Sequence, residues 1–314
     1  MDYLWAGLGL ICLIAGGDIL VRGSVSVARH LRVSPMLIGL TVVAFGTSAP
    51  ELVVSIDAAV FEGVPELALG NAVGSNIANV LLVLGVPALI YPMVCNADTV
   101  GRDTIAMIIA SIIFVILCLM GEISLLGGLI LFVLLVGYMG YSAHQARTDP
   151  ALLAEELKEI ESQALASQSK LYATAFVVGG LIALVLGAEL LVGASINIAR
   201  SLGVSEATIG LTMIALGTSL PELATSVAAA LRRNCDVALG NVIGSNMFNL
   251  LGVVGITAII TPIPVPSDFL TLNLWVMLAA SLLLVPIGLF KIPIGRTMGI
   301  GFTIAYVGYI AYLF

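Results

Sequence analysis

The chain has 314 residues, of which 60% are hydrophobic and 10% charged, with a net charge of −7. A soluble domain needs about 25% charged residues to solvate its surface, so a soluble globule is excluded, and so weak an acidic balance excludes a nucleic-acid partner. Apolar runs that are continuous rather than alternating every second residue predict membrane-spanning helices and not a β-barrel.

Hydropathy read from the N-terminus predicts ten spans, at 3–29, 34–61, 65–91, 104–120, 124–143, 171–199, 205–231, 236–260, 271–290 and 295–313. The first lacks a basic stretch and a small-residue cleavage site ahead of Gly16, so it is expected to be a span and not a removable signal. Within it, Asp18 and Arg22 have the spacing of a helical ion pair, which favours a structural or mouth-lining role for Asp18. The second span carries Gly46-Thr47-Ser48-Ala49-Pro50-Glu51-Leu52. The third carries Asn71, Ser75 and Asn79 at successive fours, with Asn76 one position round. After the fifth, a polar stretch from Gln145 to Lys170 holds Asp149, Glu155, Glu156, Lys158, Glu159 and Glu161, with Leu153, Leu157 and Ile160 at helical spacing. It reads as a solvated helical linker without a calcium-sensing motif. Cys12, Cys95, Cys118 and Cys235 show no metal-binding spacing and read as structural.

The second set of spans repeats the first. Residues 16–55 align without a gap on 187–226 with more than half of the positions identical, and Gly46 to Leu52 meets Gly217-Thr218-Ser219-Leu220-Pro221-Glu222-Leu223. Ala68 to Leu81 aligns with Ala238 to Leu251, so Asn71, Ser75, Asn76 and Asn79 recur as Asn241, Ser245, Asn246 and Asn249. The chain is an internal duplication. Five spans per half is an odd number, so equivalent helices cross in opposite directions. The predicted fold class is an all-α membrane protein: ten transmembrane helices as two inverted-topology five-helix repeats, with helices broken at the midplane. The units are 1–144, a linker at 145–170, and 171–314. Arg29, Arg32, Arg102, Arg147, Lys158, Lys170, Arg232, Arg233, Lys291 and Arg296 gather on one side, against Arg200 alone on the other. The linker is therefore expected in the cytoplasm and both termini outside, in a multi-pass protein of the cell membrane.

A carboxylate at mid-membrane costs about 2.5–3.5 kcal/mol even on lenient scales, and Glu51 and Glu222 stand there at equivalent positions with no basic residue within helical reach. A shared cation explains both. Thr47 and Ser48 lie on the face of Glu51, and Thr218 and Ser219 on that of Glu222. Pro50 and Pro221 free the carbonyls of Gly46 and Gly217 and break each helix. Hydroxyls, free carbonyls and carboxylates are the hard oxygen donors preferred by Ca2+ and Na+. Ser75, Asn79, Ser245 and Asn249 are candidate ligands or gate contacts. Asn71 and Asn241 read as interhelical glue beside Gly70, Gly74, Gly240 and Gly244, which permit close helix approach. Glu189, the counterpart of Asp18, and Asp57 read as mouth residues. His30 and His144, at span ends, cannot serve a mid-membrane site.

These paired motifs, GTSxPEL followed by GNxxGSNxxN in both halves, resemble the alpha-repeats of the sodium/calcium exchangers, within the calcium/cation antiporter superfamily. The resemblance implies a diamond of neighbouring cation sites in which Glu51 and Glu222 bridge the ions. Thr47, Ser48, Thr218 and Ser219 would add oxygens, the backbone carbonyls of Ala44 and Ala215 would contribute, and Ser75, Asn79, Ser245 and Asn249 would complete it. It also implies that the first and sixth helices slide to alternate access, and that Asn249, where potassium-dependent relatives carry Asp, argues against potassium dependence. The expected activity is electrogenic exchange of Na+ for Ca2+; the alternative is H+/Ca2+ exchange with the same glutamates as proton carriers. The expected ligands are the transported ions, with no cofactor and no obligatory protein partner. An intramembrane protease would need a histidine or lysine beside its nucleophile, and none lies mid-membrane. A passive channel is disfavoured by the inverted halves.

Overall fold

The computed structural model describes residues 1–31, 33–93, 99–148, 169–202, 215–267 and 269–313. The first half contains α1 (Asp2–Leu31), α2 (Pro35–Glu62), α3 (Leu67–Ile90), α4 (Thr99–Cys118) and α5 (Leu125–Thr148). The second contains α6 (Lys170–Ser201), α7 (Ala215–Thr218 and Leu220–Leu231), α8 (Cys235–Ile260), α9 (Phe269–Phe290) and α10 (Arg296–Leu313). Among the described residues, eight of these, all but α7 and α10, are long and apolar enough to cross a membrane. Observed and predicted bounds agree to within a few residues where both exist. The first part of the expected seventh span and most of the expected helical linker lie outside the described residues.

Local chemistry sets the helix ends. Ser34 caps α2, its Oγ accepting from Leu37 N at 3.1 Å with Pro35 at the first helical position, where its missing N–H costs nothing. Ser169 caps α6 in the same way through Tyr172 N. Gly63, at φ 71°, ends α2 in the left-handed conformation that glycine tolerates best.

The two halves are joined by a glycine seam between α1 and α6. A Cβ at Gly9 would lie 2.7 Å from Leu191 N, one at Gly16 3.0 Å from Leu184 N, and one at Gly23 2.7 Å from Val177 N. Gly180 and Gly187 make the reciprocal approaches to Leu20 and Leu13. Contact positions climb along α1 as they descend along α6, so these repeat-equivalent helices run antiparallel. With lipid outside, the hydrophobic effect does not favour one helix pairing over another, and small residues at such a seam supply contact by backbone approach. Leu4, Ile11, Ile14, Val178, Ile182 and Leu186 on the outer faces are exposed, as a lipid-facing surface requires.

The core is built around α3 and α8. Leu69, Ile77, Leu84, Leu239 and Ile243 are fully buried there together with Met107 and Phe114 of α4. The α4–α5 connection and the segment after α8 are tied by a short antiparallel ladder, β1 (Glu122–Ile123) with β2 (Ile263–Pro264). Cys12 and Cys118 carry free thiols and Cys235 is disulfide-bonded; Cys95 lies outside the described residues.

Candidate functional site

Both glutamates follow a break in their helix. In α2 the helical segment Ala44–Thr47 stops at Ser48, whose ψ of 6° is not helical, and a new segment, Ala49–Asp57, starts with Pro50 and Glu51 in its first turn. In α7 the break falls at the equivalent Ser219, with ψ 0°, and Pro221 and Glu222 open the segment beyond. Proline has no N–H to give the preceding turn, and the exposed N–H groups of the new turn favour a carboxylate in it. The break predicted from the two prolines is therefore present in both halves.

Glu51 and Glu222 are each 1% exposed and stand close enough to repel one another. Ser48 Oγ donates to Glu222 Oε1 at 3.0 Å, so the break in one half touches the carboxylate of the other. Ser245 and Thr47 also lie beside the Glu222 carboxylate. Thr47 Oγ1 lies 3.3 Å from Ala44 O and 3.2 Å from Asn241 Oδ1. The Ala44 carbonyl accepts from Ser48 N as well. Ala215 opens the described part of α7.

Asn76 and Asn246 hold the centre together. Asn79 Nδ2 donates to Asn246 Oδ1 at 3.1 Å, and Asn249 Nδ2 donates to Asn76 Oδ1 at 3.2 Å. These two bonds are equivalent under the repeat and run in opposite senses, so α3 and α8 are inverted about this point. With their amide nitrogens engaged, Asn79 and Asn249 retain Oδ1 atoms that are buried and without a hydrogen-bond partner. Both Glu51 carboxylate oxygens, Thr218 Oγ1 and Ser219 Oγ share that condition. Each such buried acceptor costs about 1–3 kcal/mol unless something binds it. Oxygen donors of this kind, with two carboxylates and no thiol or imidazole, match Na+ or Ca2+ and not a transition metal. Ser75 is buried one turn before Asn79.

Two features escaped the sequence reading. Asn76 and Asn246 were visible only as asparagines off the main face, yet they fix the orientation of Asn79 and Asn249. In addition, α3 widens into a π-helical stretch over Asn79–Val83 and α8 over Phe248–Val253. Such bulges are frequent at functional sites, and nothing in local propensity announces them.

A Cβ at Gly240 would lie 2.5 Å from Met36 O, and one at Gly244 would strike Leu40 O, so α8 is pressed onto α2. Among the described residues, nothing lies within 4 Å of a Cβ at their counterparts Gly70 and Gly74, and Gly70 is exposed; the positions equivalent to Met36 and Leu40 lie outside the described residues. Close approach is thus seen at Gly240 and Gly244. Asn71, half-buried, donates to Glu51 O and Ser55 Oγ, both at 3.0 Å, whereas Asn241 is fully buried and turns to Thr47.

The remaining acidic candidates stay apart from the centre. Asp18 accepts from Arg22 Nη2 at 2.9 Å and from Arg232. Glu189 and Asp57 are exposed.

Antiparallel equivalents around a buried oxygen cluster supplied by both halves define the class of secondary transporters. The model of the sodium/calcium exchanger protein family matches residues 2–143 and 172–314. The chain belongs to the sodium/calcium exchanger family. CaxA of Alkalimonas amylolytica is 40% identical to it, with 98% of this chain and 97% of that protein aligned. The sodium/calcium exchanger MaX1 of Methanosarcina acetivorans is 32% identical, over 100% of this chain and 99% of its own. A solved structure of the sodium-calcium exchanger NCX_Mj superposes with a TM-score of 0.85 at 33% identity, covering 100% of both chains.

Proposed function

We propose that the protein is an antiporter that exchanges Na+ for Ca2+ across the membrane by alternating access. The observation that carries this is the pair of buried glutamates facing one another across the two halves amid hydroxyl and amide oxygens. Two carboxylates neutralise one Ca2+, or two Na+ with any third held by neutral dipoles, so either load excludes the other. When more than two Na+ replace one Ca2+ the cycle moves net charge and is electrogenic. The ligands are Glu51, Glu222, Thr47, Ser48, Thr218, Ser219, Ser75, Asn79, Ser245 and Asn249, with the backbone of Ala44 and Ala215 as further donors. Asn249 in place of a carboxylate makes exchange independent of potassium.

Alternating access requires the two approaches to the glutamates to close in turn. The tight packing of α8 on α2 closes one of them. With the linker cytoplasmic and the termini outside, the closed approach is the cytoplasmic one. The chain carries a complete site, so one copy suffices for transport.

The test is calcium uptake by sodium-loaded proteoliposomes diluted into sodium-free buffer, with and without potassium and with a protonophore. Uptake is expected to require the sodium gradient, ignore potassium and survive the protonophore. Uptake driven only by a pH gradient would assign H+ as the counter-ion, and absence of both would overturn calcium antiport.

A further inference from the structure

Asn71 of α3 and Asn241 of α8 are equivalent under the repeat, yet they hold different partners. Asn71 Nδ2 donates within its own half, to Glu51 O and Ser55 Oγ, both at 3.0 Å. The equivalent of Ser55 is Ser226, which is fully buried and whose Oγ has no hydrogen-bond partner among the described residues. Asn241 faces the other half instead. Its Oδ1 accepts from Thr47 Oγ1 at 3.2 Å, and its Nδ2 is buried without a partner among the described residues. The equivalent of Thr47 is Thr218, and its Oγ1 is in the same condition. The groups that would complete each exchange are close by. The segment Leu220–Leu231, which carries Ser226, packs on Cys235–Met247, which carries Asn241. Likewise Ala215–Thr218 packs on Leu67–Ala78, which carries Asn71. A buried polar group without a partner is costly, and the idle groups here are those that the reverse arrangement would use.

We propose that Asn71 and Asn241 are positioning residues that trade partners in opposite senses during exchange. Each moves between the serine of its own half, Ser55 or Ser226, and the threonine of the opposite half, Thr218 or Thr47. This role rests on the antiport reading of the site. In an inverted repeat, the state open to the other side is this arrangement with the two halves exchanged. Asn241 then donates to Ser226 Oγ and Glu222 O, and Asn71 accepts from Thr218 Oγ1. A hydroxyl that gives its hydrogen to an amide oxygen keeps its lone pairs for a cation. The threonine in contact with its asparagine is therefore oriented as a ligand, and the other is free to turn. Ion coordination is thereby tied to helix packing, because the amide that orients one half's ligand has released the glutamate-bearing segment of its own half.

The test is calcium self-exchange, radiolabelled Ca2+ entering against unlabelled Ca2+, in right-side-out and inside-out membrane vesicles. It gives the KM for Ca2+ at each face and needs no counter-ion. Ser226 Oγ is idle in this state, whose cytoplasmic approach is closed, so Ser226→Ala weakens only the cytoplasm-facing state. Apparent affinity falls with the populated fraction of the competent state. Ser226→Ala is expected to raise the ratio of cytoplasmic to external KM about fivefold, the worth of one hydrogen bond, and Ser55→Ala to lower it by a similar factor. Ser55→Thr and Ser226→Thr, which keep the hydroxyl, are expected to restore the original ratio. A purely structural pair of serines would lower the thermal midpoint without moving the ratio in opposite directions. The role is overturned if the unaltered protein exchanges calcium and the two alanine variants do not move the ratio in opposite directions. Absence of self-exchange in the unaltered protein would overturn the antiport reading itself, and this role with it.

Discussion

At the scale of single residues, the two glutamates are the least replaceable groups. Glu51→Gln or Glu222→Gln keeps the shape of the side chain but removes half of the formal charge at the centre. Each is expected to reduce sodium-driven calcium uptake to background while leaving the thermal midpoint unchanged or raised, because repulsion between the carboxylates is relieved. Normal uptake in either variant would exclude it as a shared ligand. Asn76 tests the layer behind. Asn76→Ala deprives Asn249 Nδ2 of its acceptor and frees the amide to rotate. Loss of an orienting partner behind a ligand costs about 10–100-fold in ion affinity, to be read as a rise in KM for Ca2+ with little change in the maximal rate. The glutamates and their hydroxyl neighbours were legible in the sequence because an unpaired intramembrane carboxylate is expensive and its surroundings recur. The part played by Asn76 was not. Whether an amide binds an ion or holds its neighbour depends on which way it points across the α3–α8 contact, and that follows from packing rather than spacing.

At the scale of elements, the close contact of α8 on α2 can be tested directly. Gly244→Ala drives a methyl group into the Leu40 carbonyl and the Ala44 side chain. Overpacking of this kind costs about 1–3 kcal/mol, so a lowered thermal midpoint and slowed exchange are expected. Gly74→Ala, at the equivalent place in α3, meets nothing within 4 Å among the described residues. It is expected to leave the midpoint unchanged or slightly higher, since alanine is the better helix former. Equal destabilisation by both would mean that the two contacts are alike on average. The breaks in α2 and α7 could be read from Pro50 and Pro221, as proline acts through its own covalent structure. The π-helical stretches could not: Asn79–Val83 and Phe248–Val253 contain no residue that forces an extra backbone step.

For the whole molecule, the duplication made the plan legible before any contact was known, because five spans per half dictate inversion. The α1–α6 seam and the reciprocal asparagine bonds bear that out for two pairs of helices. Sidedness came from the arginine and lysine distribution alone. It predicts that trypsin added to inside-out vesicles cuts the chain between 145 and 170, where Arg147, Lys158 and Lys170 lie. Right-side-out vesicles should protect that segment, and the reverse pattern would invert the orientation.

The hydrogen bonds linking Ser48 to Glu222, Thr47 to Asn241, Asn79 to Asn246 and Asn249 to Asn76 all pass from one half to the other. The glycine seam does the same. Stability at the centre therefore depends little on the peptide that connects the halves. Two fragments ending and beginning within 149–168, synthesised together, are expected to find one another in the bilayer and restore exchange. Either fragment made alone would leave its glutamate and asparagines without the opposite half, in a solvent that offers them nothing, and is expected to be cleared by membrane proteolysis.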